Sequence, residues 1–243
     1  MELLFLDTVD STNKYAKEHL EELSDMTIIF ANKQTAGRGR FQRQWISNSG
    51  ENIYASIILK PSKELKDVYA NLTQYLCVIL AEIFEEYNIC PKIKWPNDIR
   101  INGKKISGIL AESVIEKNEL KGIILGFGVN LNCMKDDIKN INQPATSLNL
   151  EINKKITRKT FLKRVIDKFC LRYNKFIEEG FLLIREDYIR RAEFLNTLVT
   201  VKVFDKEISG IVKCITEIGA LKIVDKNNKE HVLLIGDILW MKH

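Results

Sequence analysis

Near residues 193–196 the hydrophobic period of the chain turns from helical to that of short strands and stays so to the end, and that change constrains the fold more than any single string does. Before it, Phe161, Val165, Phe169, Tyr173 and Phe176 recur at helical spacing from Thr157 to Glu179 and stop at Gly180, a residue suited to a helix C-cap. A further short helix is predicted around Leu183–Ala192. After it, "TLVTVKVFDKEISGIVKCITEIGALKIVDKNNKEHVLLIGDILWMKH" reads as short strands between polar turns, which predicts a small β-barrel. The chain is therefore expected to divide into a larger domain, 1–193, and a small C-terminal β domain, 194–243; a length of 243 residues accommodates both.

The larger part mixes both periods. Asp10, Ser11 and Thr12 are good helix N-caps, so a first helix is expected to start within "DSTN" and to carry Tyr15, Ala16, Leu20 and Leu23. "MTIIFANKQ" and "ENIYASIILKP" read as strands, and Val68, Leu72, Tyr75, Leu76, Ile79, Leu80 and Ile83 form the stripe of a buried helix from about Asp67 to Tyr87. "KIKWPNDIRINGKKISGILAES" reads as strand, turn, strand around Asn102-Gly103, and "KGIILGFGVNLN" as a strand ending on a Gly-x-Gly bend. This order predicts an α+β protein, a mixed sheet covered by helices.

Composition removes several function classes. Hydrophobic residues make up 45% and charged residues 28%, which is neither disordered nor collagen-like nor membrane-spanning. The net charge of +5 is spread without blocks, so an anionic ligand fits better than nucleic acid, which would call for a clustered basic face. The five cysteines are odd in number and form no C-x-x-C pair, which argues against disulfides or a zinc knuckle. The start has no basic leader region, and no apolar run spans a bilayer, so a cytoplasmic setting with no membrane partner is expected.

The chemistry-bearing strings lie between the predicted elements. "TAGRGRFQRQW" sets Gly37 and Gly39 among Arg38, Arg40 and Arg43; it reads as a solvated basic turn or as a loop suited to an acyl phosphate. Neither a P-loop nor a complete G-x-G-x-x-G occurs. "KWPND" places Lys94 and Asp98 around a proline that breaks a strand, either as a solvated strand end or as a charged site. Lys105 lies just past the hairpin turn, at the surface or over the same cleft. The histidines, His19, His231 and His243, form no Ser/His/Asp or metal constellation.

"DSTN", "QTAGRGRxxRxW", "KWPND", "GKKISGIL" and "GFGVNLN", in this order, resemble the biotin protein ligase family, and the resemblance covers nearly the whole chain. It implies a catalytic domain related to the class II synthetase-like fold, an SH3-like C-terminal barrel, and ATP and biotin as substrates with Mg²⁺. Biotin would be activated as biotinyl-5′-AMP and passed to a lysine of a biotin carboxyl carrier protein domain. By resemblance Ser11, Thr12, Asn13, Gln34, Arg38, Gly39 and Gly108 meet biotin, and Arg40 closes over the adenylate. Lys105 contacts the reacting carboxyl and α-phosphate. Arg43, Trp45, Lys94, Asn97, Val129 and Asn130 serve the nucleotide; Asp98 serves Mg²⁺ and orients the incoming lysine.

Gln42 stands where the family often has glycine, which is expected to stiffen the loop. The chain opens almost at "DSTN", so the DNA-binding domain of bifunctional members is expected to be absent, with no operator binding. A homodimer paired through sheet edges is a further expectation. A lipoate ligase or octanoyltransferase of the same fold is the alternative enzyme, though it gives no reason for "GRGR" and "KWPND" together.

Overall fold

The computed structural model describes residues 2–47, 51–60, 68–139, 141 and 143–239; Asp67, His243 and the side chains of Gln42 and Lys139 lie outside the described residues. Seven strands, β1 (Leu3–Val9), β2 (Ile28–Gln34), β3 (Ile53–Leu59), β4 (Lys92–Lys94), β5 (Asp98–Ile101), β6 (Lys104–Glu116) and β7 (Glu119–Val129), form one sheet in the order β1-β2-β3-β7-β6-β5-β4. The β1–β2 pair is parallel and the others are antiparallel. The helices are α1 (Thr12–Glu18), α2 (Leu72–Glu85), α3 (Lys135–Lys139), α4 (Leu148–Ile152), α5 (Arg158–Glu179) and α6 (Arg185–Arg190). Strands β8 (Leu198–Val203), β9 (Lys206–Ile215), β10 (Leu221–Val224), β11 (Glu230–Leu233) and β12 (Asp237–Leu239) form the antiparallel C-terminal sheet, in the order β11-β10-β9-β8-β12. None of the helices is long and apolar enough to cross a membrane, among the described residues.

Side-chain alternation gives the large sheet two faces of different character. Ile28, Phe30, Ile57, Leu59, Ile123 and Leu125 point into the main core with α2 and α5, which bury Tyr75, Ile79, Ile83, Phe161, Val165 and Phe169. Each such side chain stabilises the fold by roughly 1.5–3 kcal/mol. The opposite face carries only a small cluster, Ala16 and Leu20 against Ile29, Ile58 and Ile124, under α1. The rest of that face is left for the site.

Local chemistry sets the element ends. Ser11 caps α1 by accepting from the Lys14 backbone N–H, and α1 ends at Glu18, so Leu20 and Leu23 pack from the following turn rather than from the helix. Asn102 and Gly103 take φ of 48° and 74°, as a two-residue hairpin turn requires. The expected bend at "GFG" is absent: β7 runs straight to Val129, and its glycines serve a packing purpose described below. Strand β1, which the sequence reading did not identify, occupies the sheet edge with Leu3 and Phe5 half exposed.

The C-terminal sheet shares the main core through Val199, Val201, Val212, Ile223 and Ile238. It is also tied to the larger part by polar bonds: Gly219 O accepts from Gln74 Nε2 at 2.9 Å and from Trp95 Nε1 at 3.1 Å. Arg191, 2% exposed, forks onto Glu85 at 2.8 and 2.6 Å and locks α6 to α2.

Candidate active site

On the α1 face of the large sheet, a cavity of about 790 Å³ including its mouth is lined from α1, β2, the 38–45 loop, β5–β7 and β12. Its floor is made of glycines. Gly108 and Gly128 are register partners across β6 and β7, and Gly126 faces the same way. A Cβ on Gly128 would lie 2.3 Å from the Trp45 ring, and one on Gly126 would lie 2.0 Å from Asn13 Oδ1. The glycines therefore let Trp45 and Asn13 lie against the sheet backbone, and the indole N–H of Trp45 is buried without a partner among the described residues.

One end of the cavity is neutral and densely hydrogen-bonded. Gln34 Oε1 accepts from the Thr12 backbone N–H at 2.9 Å and from its hydroxyl at 3.1 Å, and Gln34 Nε2 donates to Ser47 Oγ at 3.1 Å. Ser56 donates to Asn13 Oδ1 at 2.6 Å and lies 2.8 Å from Thr12 Oγ1. Thr12, Asn13 and Ser56 are all buried, so their bonds are shielded from competing water.

The other end is cationic. Lys105 Nζ is held 2.8 Å from Asp98 Oδ1 and 5.4 Å from the centre of the Trp45 ring, which aims the ammonium over the floor. Arg40 donates to Asn97 Oδ1 at 3.2 Å and to Gly236 O at 2.9 Å. Burial pulls its guanidinium below the ordinary value, against the attraction of Asp237 and Asp98. Asp237 of β12 takes Lys94 on Oδ1 at 2.9 Å and Arg43 on Oδ2 at 2.6 Å. Burial alone would raise the Asp237 carboxyl; Lys94 and Arg43 outweigh it and hold it below its ordinary value.

The 37–45 loop is closed on itself. Trp45 N–H donates to Gly37 O at 2.9 Å and Gly39 N–H to Arg43 O at 2.7 Å. Gly37 is required by close approach, since a Cβ there would sit 2.5 Å from Trp45 O, but the residue in the left-handed region is Phe41, with φ 54°. Among the described residues, no group of three or more His, Cys, Asp or Glu side chains is arranged to hold a metal ion. The donor set present, Asp98 beside a cationic cavity, suits a Mg²⁺ carried in on phosphates rather than a metal caged by protein.

A sequence profile of the Biotin/lipoate A/B protein ligase family matches residues 5–130. The chain belongs to that family. Among its relatives, the bifunctional ligase/repressor BirA of Bacillus spizizenii is 35% identical over 233 residues, covering 91% of this chain and 71% of that protein. The biotin--[acetyl-CoA-carboxylase] ligase of Paracoccus denitrificans is 28% identical over 224 residues, covering 89% and 91%. The solved biotin protein ligase from Aquifex aeolicus in complex with biotin and ATP superposes with a TM-score of 0.84 at 29% identity, covering 98% of this chain and 97% of that one.

Of the residues singled out in the sequence of this family member, Ser11, Thr12, Asn13, Gln34, Arg38, Gly39, Arg40, Arg43, Trp45, Asn97, Asp98, Lys105 and Gly108 all line the cavity. Three do not. Lys94 stands behind it on Asp237, and Val129 points into the main core. Asn130 spends its groups on the backbone: Nδ2 on Thr146 O at 3.0 Å, its N–H on Ile106 O at 2.9 Å, and its carbonyl on Leu148 N–H at 3.0 Å. Sequence reasoning missed Ser56, Glu112 and Asp237. Ser56 had a signal, being the one polar residue in the buried run "IYASIIL"; Asp237 had none, because its partner Lys94 is 143 positions away.

Proposed function

We propose that this chain is an ATP-dependent biotin ligase that makes biotinyl-5′-AMP and passes the biotinyl group to a lysine of a carrier domain. The observation that carries the reading is one cavity joining a neutral hydrogen-bonding end to a cationic end. A cyclic urea brings two N–H donors and one carbonyl acceptor, which polar groups of Thr12, Asn13 and Gln34 on the cavity wall can match. A dithiolane offers these groups neither a donor nor a strong acceptor, which favours biotin over lipoate.

In the first step a biotin carboxylate oxygen bonds to the α-phosphorus and the bond to the β-phosphate bridging oxygen breaks, releasing pyrophosphate. Both reactants are anions, so the protein's task is to cancel their repulsion. Lys105, held by Asp98 and Trp45 on the cavity wall, would contact the carboxylate and the α-phosphate as they meet. Arg40 and Arg43, both on the cavity wall, would face the phosphates from the loop. Mg²⁺, bound by the phosphates with Asp98, would neutralise further charge on the leaving group.

In the second step the carrier lysine nitrogen bonds to the acyl carbon, the bond to the phosphate oxygen breaks, and AMP leaves with the electron pair. The amine proton passes to water or a carboxylate; Asp98 lies within the cavity. The loop held by Gly236 O and Asp237 would keep the mixed anhydride from water until the lysine arrives. The test is pyrophosphate release from ATP with biotin or lipoate as the only acid. Release with biotin alone supports the reading; release with lipoate alone replaces it with the alternative.

A further inference from the structure

Val129 and Asn130 leave the nucleotide base without a reader, because Val129 lies in the main core and Asn130 is bound to backbone groups. The edge of adenine sets an amino donor beside a ring-nitrogen acceptor, and a carboxamide matches it with a carbonyl and an NH₂ side by side. Five carboxamides line the cavity, and three of them are spent. Asn13 holds Ser56, Leu110 O and Glu112; Gln34 holds Thr12 and Ser47; Asn97 holds Arg40 and Ile109 O. The side chains of Gln44 and Gln143 make no hydrogen bond among the described residues. Gln44 belongs to the ligand loop, between Arg43 and Trp45, and also lines a recess on the loop's other side.

Gln143 stands beside Lys105. Lys105 N–H donates to Pro144 O at 2.9 Å, Thr146 N–H donates to Lys105 O at 2.9 Å, and Ala145 is the bridge partner of Lys105. Gln143 is two residues from that partner, about 7 Å along an extended chain. Pro144 restricts the backbone of the residue before it toward the extended region, so the Gln143 side chain leaves from a fixed direction. The side chain is exposed on the cavity wall.

The reaction divides the space around Lys105. Attacking and leaving oxygens lie in line through the α-phosphorus. Biotin comes from the neutral end and pyrophosphate leaves toward Arg40 and Arg43, so the ribose and base extend from the α-phosphate to the side. The 143–146 segment, paired to Lys105, is the wall on which an unspent carboxamide meets them.

We propose that Gln143 is the residue that reads the base of ATP, its Oε1 accepting from the exocyclic amino group and its Nε2 donating to the ring nitrogen beside it. The inference rests on the reading of this cavity as the site of adenylate formation and deepens it, by naming the side chain that selects the adenine edge.

The test uses the full chain with biotin and two nucleotides on the same preparation: ATP, and purine riboside triphosphate, which carries hydrogen in place of the amino group. Pyrophosphate release gives kcat/KM for each. The wild type is expected to prefer ATP by about three- to tenfold, as for one hydrogen bond. Gln143→Leu removes donor and acceptor together. It is expected to raise KM for ATP by at least that factor, keep KM for biotin within about twofold, and bring the preference close to unity. The preference is a ratio on one preparation and is independent of the fraction folded, so it reads the contact rather than stability. Gln44→Leu is expected to keep the wild-type preference. A wild-type preference below about twofold, or one that survives in Gln143→Leu, overturns the inference and spares the ligase reading. A wild type that releases no pyrophosphate from either nucleotide with biotin overturns both.

Discussion

Replacing Asp237 by Asn removes one charge from the contact that joins the C-terminal sheet to the ligand loop. Asp237 lies 2.9 Å from Lys94 and 2.6 Å from Arg43, with side-chain exposures of 14% for Lys94 and 57% for Arg43. At an effective dielectric near 20, the Lys94 contact is worth about 6 kcal/mol of Coulomb attraction, most of it offset by desolvation. Deleting only the carboxylate leaves the Lys94 ammonium unpaired, which costs about 3–5 kcal/mol at a fully buried site. Because the cavity opens to water, about 2–3 kcal/mol is expected here. Arg43 is exposed enough to add at most about 1 kcal/mol.

The urea midpoint of Asp237→Asn is therefore expected to fall by on the order of 1 M at neutral pH. The pH dependence carries a sign. The folded Asp237 carboxyl titrates below its ordinary 3.8, so its contribution is present above that pH and is lost as pH falls through the folded value. The difference between wild type and variant should hold from neutral pH to about 4 and shrink below it. A difference under about 0.5 kcal/mol at neutral pH, or one undiminished in acid, would refute the ion-pair account.

Other outcomes follow from the same geometry. Lys105→Gln should lower the rate of pyrophosphate release by about 10²–10³, read by single turnover on the folded fraction, and by stranding Asp98 it should also destabilise by about 2–3 kcal/mol. Gly128→Ala places a methyl 2.3 Å from the Trp45 ring, so it should shift tryptophan emission and raise KM for ATP more than KM for biotin. Arg40→Ala loses both its Asn97 and Gly236 bonds; free acyl-adenylate in solution should rise relative to bound, as separated by rapid filtration. Arg191→Ala removes both bonds to Glu85, which keeps Arg190 at 3.6 Å, and should destabilise by about 1–3 kcal/mol in denaturant titration, with KM for either substrate unchanged in the folded fraction.

What the sequence revealed was mostly local. The Ser11 cap, the Asn102-Gly103 turn and the long α5 helix are each specified by residues within one or two turns of the chain, and each stands where the pattern put it. Strand β1 escaped because an edge strand half exposed on alternate residues leaves only a short apolar run to read. Lys94 and Asp98 looked like one charged pair around a proline. They are indeed register partners, but each takes its counter-charge from elsewhere: Lys94 from Asp237, Asp98 from Lys105. The glycines of "GFG" were read as a bend, yet they are bare because Asn13 and Trp45 lie on them. These are long-range facts, and a string carries no distance.

The most direct test of the account is isolation of the intermediate. The protein is incubated with ATP, Mg²⁺ and an equimolar mixture of biotin and lipoate, passed through a desalting column, denatured, and the released small molecules are weighed by mass spectrometry. The account predicts biotinyl-5′-AMP at close to one per chain, discharged as AMP when a carrier domain is added and its lysine becomes biotinylated. Lipoyl-AMP in its place, or no adenylate at all, would contradict it.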